Sequence, residues 1–289
     1  MKKFEIFIFF LLTLTSAFAG NEFEQEIKQV KTNISGNFKY NDLEGFKLTQ
    51  LQLNKLKEKY KDEYLVYYYS ALNDYYSIVF LMQKNITDSE FQDLSLTDGI
   101  KNSDKCIELN PKFVDGYVIR SILNLFYVAY KRSPATTTQI LRDLDFAKQV
   151  DTNNSARVYL AYGMYYNFLP QIYGGNIDSA KYYLNTAVEK FKTENKSNPI
   201  LPDWGYDISY IFLGMICVGE GEYESAKKFY NKALEISPSN SWVSNVLMSE
   251  LNEKSKTNAK SINFFWIFLP LGFISLIIIA FKLIKRLEK

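Results

Sequence analysis

Histidine is absent from this 289-residue sequence, and cysteine occurs only twice. Without histidine, the chain lacks the commonest general base and the commonest transition-metal ligand. Cys106 and Cys217 are far apart and have no partner at the spacing of a metal site. We expect both to be small, buried apolar residues. Nucleophile-elbow, phosphate-binding-loop and zinc-protease motifs are also missing. The sequence therefore predicts no enzyme activity, no cofactor and no bound metal.

An excess of charge of either sign is also missing. The 34 Lys and Arg residues nearly balance the 32 Asp and Glu residues, which leaves a net charge of +2. Lys and Glu are interspersed, whereas a nucleic-acid-binding domain usually has a basic face. Asp143 and Asp145 alternate with Arg142 and Lys148, a pattern that predicts solvated surface charge. We expect no nucleic-acid partner.

Both ends of the chain carry long apolar runs. Residues 1–19 begin with Lys2 and Lys3, continue in an apolar run and end in Ala-Phe-Ala. This order is typical of a cleaved secretory signal peptide. An uncleaved anchor is the alternative, but the run is short for spanning a bilayer.

Residues 262–281 have no charged side chain over about 20 residues, the length that a membrane-spanning helix needs. Residues 254–261 form a polar tether before this segment, and residues 282–289 form a basic tail after it. The basic tail predicts a cytoplasmic C-terminus. Together with the signal peptide, this predicts a single-pass protein of the cell membrane whose main domain lies on the extracytoplasmic, periplasmic side.

Residues 20–253 have the pattern of a helical domain, because no period-2 strand run with hairpin turns occurs in them. Asn41 to Tyr60 has an amphipathic helical pattern that includes Leu51 among its apolar positions. Glu63 to Leu81 is a second predicted helix, dense in tyrosine. Leu94 to Leu109 is a third, which ends in Asn-Pro. Residues 241–254 form a predicted capping helix, as a stacked helical array requires at its open end.

The stretch 207–240 reads as two helices joined by a glycine turn. Small residues recur in it at the positions where two helices would approach closely: Gly214, Ala226 and Ala233. Tyr210 and Tyr230 are large residues beside them, and a proline ends the second helix. This 34-residue unit resembles a tetratricopeptide repeat.

Two earlier segments share this pattern, residues 114–150 and 156–191. The resemblance implies an all-α fold: a superhelix of tetratricopeptide-like helical hairpins (an α-solenoid), followed here by one C-terminal transmembrane helix. The second of these segments contains an extension with Pro170 and Gly174-Gly175 before an alanine-rich helix. This extension resembles the TatT-like secreted bacterial repeat proteins, which accompany periplasmic binding components of transporters.

Tetratricopeptide arrays bind peptides or proteins in the concave groove formed by the first helix of each repeat. By that resemblance, the partner or ligand groove of this chain would be formed by Val118, Ile122, Arg157, Leu160, Met164, Asn167, Ile208, Ile211, Met215 and Val218. Because this set is mostly apolar, it suits an apolar helix, a hydrophobic ligand or the terminal segment of the chain itself. Simple packing of the superhelix is the alternative.

Two functions fit these observations. The first is a membrane-anchored extracytoplasmic scaffold that binds another protein or peptide in an envelope complex. The second is a TatT-like accessory component of solute uptake, which binds a small apolar ligand and a periplasmic binding protein. An open concave surface would favour the first function, and a closed apolar cavity would favour the second.

Overall fold

The computed structural model describes residues 22–131, 135–152 and 154–257. These residues form eleven helices without a strand. We number the helices in chain order: α1 (22–40), α2 (Leu43–Lys59), α3 (Tyr64–Gln83), α4 (Ser89–Leu109), α5 (Val114–Lys131), α6 (Ala135–Val150), α7 (Ala156–Phe168), α8 (Ile177–Lys192), α9 (Tyr206–Glu220), α10 (Tyr223–Ile236) and α11 (Met248–Thr257). A short 3₁₀ helix, Gln171–Tyr173, lies between α7 and α8, and a π-helical segment, Val243–Leu247, leads into α11.

Consecutive helices pair into hairpins that stack along the chain. The strongest contacts join α3 to α4, α5 to α6, α7 to α8 and α9 to α10. The first helices of successive hairpins also touch, α3 with α5, α5 with α7, and α7 with α9. This arrangement is that of an α-solenoid, in which each repeat buries its apolar face against its neighbours. The predicted all-α class and helical-repeat fold are confirmed.

In two hairpins, a glycine in the first helix allows the second helix to approach it closely. A Cβ atom at Gly214 on α9 would lie 2.6 Å from Cδ1 of Tyr230 on α10. At Gly163 on α7, a Cβ atom would lie 2.6 Å from Cγ of Leu184 on α8. Neither position has room for a side chain, because the facing residue occupies that space. Gly221, with φ of +80°, turns the chain between α9 and α10 in a conformation that glycine adopts readily.

Polar caps fix where several helices begin. The Asp42, Asp88 and Asn176 side chains accept hydrogen bonds from backbone N–H groups in the first turns of α2, α4 and α8. Each cap satisfies one of the N–H groups that a helix start leaves unpaired, a contribution of about 0.5–2 kcal/mol. Helix α4 consequently begins at Ser89, upstream of the predicted start.

Helix α1 was not among the predicted helices. Its apolar residues Ile27, Val30 and Ile34 are fully or almost fully buried. Asn33 and Asn37 bond to side chains of α2, to Gln52 at 2.9 Å and to Thr49 at 2.9 Å. The N-terminal part of the domain is therefore closed by a further helix against α2 and α3.

The segment between α8 and α9, residues 193–205, is here called the linker. It returns from the end of the third hairpin to the first helices of the chain. Lys31 on α1 donates to the linker carbonyls of Pro199, at 2.8 Å, and Leu201, at 2.7 Å. Tyr69 on α3 donates to the Ile200 carbonyl at 2.8 Å. These hydrogen bonds join the linker to residues that lie 131 to 170 positions earlier in the sequence.

Several predictions about individual residues have clear outcomes. Cys106 and Cys217 are buried free thiols, as predicted. Asp143 was predicted to be surface charge, and this is wrong: it is 2% exposed, because Arg120 on the facing helix binds both of its carboxylate oxygens. Asp145 accepts a hydrogen bond from the Tyr162 hydroxyl. Leu51 was predicted among apolar helix positions, yet it is 58% exposed.

The two predicted membrane-related segments, residues 1–19 and 262–281, lie outside the described residues. Among the helices that are described, none combines the length and the apolar composition needed to cross a membrane. The tether 254–261 is only partly described, because α11 continues to Thr257.

Candidate ligand-binding cavity

A cavity of about 490 Å³ lies on the side of the array formed by the first helices. Its walls come from α1, α3, α5, α7, α9, α11, the linker and the segment that follows α10. The solenoid stack places α3, α5, α7 and α9 side by side, and α1 and α11 close the two ends. The cavity is therefore the concave face of the array, narrowed by its first and last helices.

Aromatic rings make up much of the wall. Tyr75 and Tyr76 on α3 lie 5.1 Å apart, and the Trp204 ring of the linker lies 5.8 Å and 6.5 Å from them, measured between ring centroids. Phe168 on α7 and Phe212 on α9 continue the wall in an edge-to-face pair at 5.3 Å. Such a surface favours apolar and aromatic groups, and its ring faces also attract cations.

Trp204 of the linker is held in this wall by two hydrogen bonds to helices of the array. The indole N–H donates to the Tyr68 hydroxyl at 2.7 Å, and the Trp204 carbonyl accepts from Arg157 at 3.3 Å. A buried Trp usually needs such a partner for its N–H group. Trp204 is therefore positioned by α3 and α7 rather than by the helix that follows it.

Among the described residues, five charged side chains line the cavity: Lys31, Lys39, Asp203, Asp207 and Glu250. Lys31 forms an ion pair with Asp203 at 3.2 Å and is further held by the linker carbonyls. Burial raises the pKa of Asp207, and interactions with the Ile208 backbone and the Ser237 side chain partly offset this increase. Burial also raises the pKa of Glu250. Lys39 is exposed.

The predicted groove residues divide into two groups. Four line the cavity: Met164, Ile208, Ile211 and Met215. Six do not line it and are buried within the array: Val118, Ile122, Arg157, Leu160, Asn167 and Val218. Helix α3 packs against α5, so the inward positions of α5 are already covered. Binding of a partner by any of these residues stays a prediction.

Arg157 shows why a groove-facing prediction can fail for a charged residue. Its side chain is 6% exposed, and the guanidinium pairs with Asp115 on α5 at 2.7 Å and with Glu194 on the linker at 2.6 Å. Although burial opposes its charge, the two carboxylates outweigh burial and raise the pKa of Arg157. Arg157 therefore holds α5, α7 and the linker together and is not available to a ligand.

Sequence reasoning missed the residues that dominate the cavity wall. Tyr75 and Tyr76 belong to the tyrosine-rich helix, but periodicity alone does not show which tyrosines face a neighbouring repeat. Trp204 lies in the linker, whose fold depends on contacts with distant helices. The tyrosine density of residues 63–81 was the one signal that could have drawn attention to α3.

Within residues 22–131, 135–152 and 154–257, no group of three or more acidic or cysteine side chains could hold a metal ion. The described lining offers aromatic rings, aliphatic side chains, three carboxylates and two lysines.

The hairpin that borders this cavity can be compared with known repeats. A family model described as a tetratricopeptide repeat matches residues 208–240, which cover α9, α10 and their turn. Helices α9 and α10 therefore form a tetratricopeptide repeat. The close packing at Gly214 and the burial of Ala226 and Ala233 lie inside the matched residues.

The fold is also similar to the crystal structure of a thermophilic tetratricopeptide repeat protein from Thermus thermophilus. The sequence identity is 15% and the TM-score is 0.48, over 79% of this chain and 97% of that chain. A comparison with curated proteins finds no match. Tetratricopeptide repeats commonly bind other proteins or peptides, so the fold suggests a scaffold for protein–protein interaction.

Proposed function

We propose that this chain is a membrane-anchored scaffold of the cell envelope that holds a segment of a partner protein in its concave cavity. The cavity of about 490 Å³ carries this proposal, because it combines a long aromatic wall with aliphatic residues from α3, α7 and α9. The repeat domain would lie on the extracytoplasmic side, after removal of residues 1–19, with residues 262–281 as the anchor. The proposed role is non-catalytic.

The size of the cavity suits a few side chains of a partner rather than a whole helix. Sites for drug-sized ligands occupy about 300–1,000 Å³, and a cavity in this range can take two or three large side chains. Met164 and Met215 lie in the wall, and methionine adapts its shape to different apolar partners. We therefore propose an extended peptide segment as the occupant.

Site-specific photo-crosslinking in cells tests this proposal. Benzoyl-phenylalanine would replace Phe38, which lines the cavity, and separately Tyr182, which is 65% exposed on α8 outside it. We expect a partner protein to crosslink from position 38 and not from position 182. Crosslinking from position 182 alone, or from neither position, would contradict the proposal. Both variants must melt at the temperature of the natural chain.

The anchor is tested separately by alkaline extraction of membranes. The full chain should remain in the membrane pellet, whereas a chain ending at Lys260 should be released. Sequencing of the mature N-terminus should begin near Gly20. A chain ending at Lys260 that still remains in the pellet would show that the anchor lies elsewhere.

A TatT-like accessory role in solute uptake is a second candidate, and the cavity volume favours it. About 490 Å³ also matches the size of small-ligand sites. This candidate predicts that a small apolar molecule co-purifies with the protein. Native mass spectrometry of the purified chain distinguishes the two functions, since a peptide-binding scaffold would carry no such constant added mass.

A further inference from the structure

Asp207 is one of the carboxylates that line the cavity, and it lacks an ion pair in the described part of the chain. Asp207 is the second residue of α9 and lines the cavity. It forms no ion pair with any residue in the described part of the chain, although burial disfavours its charge. The exposed Lys196 of the linker acts on it only as a weaker, lowering influence on its pKa. A cation that entered the cavity would offset this unpaired charge.

The aromatic rings near Asp207 also favour a cation over an anion. Burial raises the pKa values of Tyr75 and Tyr76, and the negative charge of Asp207 raises them further. The Asp207 carboxylate is therefore within electrostatic reach of both phenols. Trp204 completes a cluster of three rings with centroids 5.1 to 6.5 Å apart. A cation is attracted to a ring face when it lies within about 6 Å of the ring centroid. Because the three rings are close together, one cation can lie within this distance of more than one of them.

The other charges of the cavity also favour a basic over an acidic ligand, because three of the described charged residues in the lining are acidic and two are basic. Lys31 is already engaged by Asp203 and by two linker carbonyls. Glu250 on α11 adds a second carboxylate to the lining. An acidic ligand would therefore meet the Asp207 and Glu250 carboxylates, whereas Lys39, the second lysine of the lining, is exposed to solvent, which screens its charge.

Two other aspartates occupy the second position of their helices and show what is particular about Asp207. Asp115 on α5 is buried, and Arg157 pairs with it at 2.7 Å. Asp178 on α8 has a side chain that is 95% exposed, so water solvates its charge. A helix start alone therefore explains an aspartate at this position. Asp207 differs from the other two because its charge is only partly stabilised, by the Ile208 backbone and the Ser237 side chain, and it has neither a cationic partner nor full exposure to water.

We propose that the cavity recognises a partner segment that inserts a Lys or Arg side chain between the Asp207 carboxylate and the rings of Tyr75, Tyr76 and Trp204. Neighbouring apolar side chains of that segment contact the aliphatic part of the wall, near Ile211. This proposal rests on the proposed scaffold function and adds the chemistry of the partner to it.

The test selects peptides from a random library against the full chain held in lipid nanodiscs. Three forms serve as bait: the natural chain, Asp207→Asn and the matched control Asp178→Asn. We expect peptides selected by the natural chain and by Asp178→Asn to carry a Lys or Arg beside apolar residues. Peptides selected by the Asp207→Asn form should show no preference for Lys or Arg but should still carry the apolar residues.

A synthetic peptide from that selection then gives the magnitude. Replacing its basic residue by glutamine should weaken binding to the natural chain by about tenfold and leave binding to Asp207→Asn unchanged. Binding of the glutamine peptide also shows that the Asp207→Asn cavity is still folded.

Each other outcome has a defined meaning. Selected peptides without a basic preference, with an acidic preference, or with the same preference on Asp207→Asn would overturn this proposal while the scaffold function stands. If none of the three baits selects a peptide, both proposals fail.

Discussion

Replacing Gly214 by alanine should destabilise the domain, although alanine is the better helix former. In an open helix position, this exchange would stabilise the fold by about 0.5–1 kcal/mol. Here the new Cβ atom would lie 2.6 Å from Cδ1 of Tyr230, whose side chain is 1% exposed and cannot move into solvent. Overpacking of a filled core costs about 1–3 kcal/mol. We expect a net loss of about 1–2 kcal/mol, or about 2–8 °C in Tm.

Gly36 on α1 provides the matched control. A Cβ atom there would meet no heavy atom within 4 Å, so Gly36→Ala should stabilise the domain. The assay is urea unfolding followed by circular dichroism. A second test introduces Gly214→Ala into a Tyr230→Leu background, where the smaller facing side chain should remove most of the cost. If Gly214→Ala raises the stability as Gly36→Ala does, or costs the same in both backgrounds, the close-packing argument is wrong.

Three further predictions concern buried polar groups. Arg157→Met should lower the free energy of unfolding in urea by about 3–5 kcal/mol, because it leaves the Asp115 carboxylate buried without its partner. Burial raises the pKa of Asp74 far above its usual value, so its contribution to stability falls as the pH rises above about 4, the unfolded pKa, toward the folded pKa. Asp74→Asn should therefore be more stable than the natural chain by a margin that grows between pH 5 and pH 8, and a margin independent of pH would refute this. Burial raises the pKa of Cys217 to about 11 and that of Cys106 further, so neither thiol should react with Ellman's reagent at pH 8 until the protein is unfolded.

The sequence was sufficient to predict the hairpin of α9 and α10, because its determinants are local. Gly214, Ala226 and Ala233 are small where the helices meet, and Gly221 allows the turn. Helix α1 was missed although its signal is present: Phe23, Ile27, Val30 and Ile34 recur at helical spacing.

The cavity could not be predicted in the same way. Which face of α5 or α7 stays open depends on α1, α3 and the linker, which lie far away in the sequence. The prediction that Asp143 is exposed was wrong for a related reason. A charge pattern within α6 does not reveal that Arg120 on the facing helix pairs with Asp143.

The linker contacts have a consequence for how the domain unfolds. In an open repeat array, each unit contacts only its neighbours, so terminal units can fray while the rest remains folded. Here Lys31 and Tyr69, near the start of the domain, bond to Leu201 and Ile200, which directly precede the last hairpin. Loss of the last hairpin would release the linker and expose α1 and α3. The array should therefore unfold in a single cooperative transition, and its long-range contacts should make folding slower than in an open array of the same length.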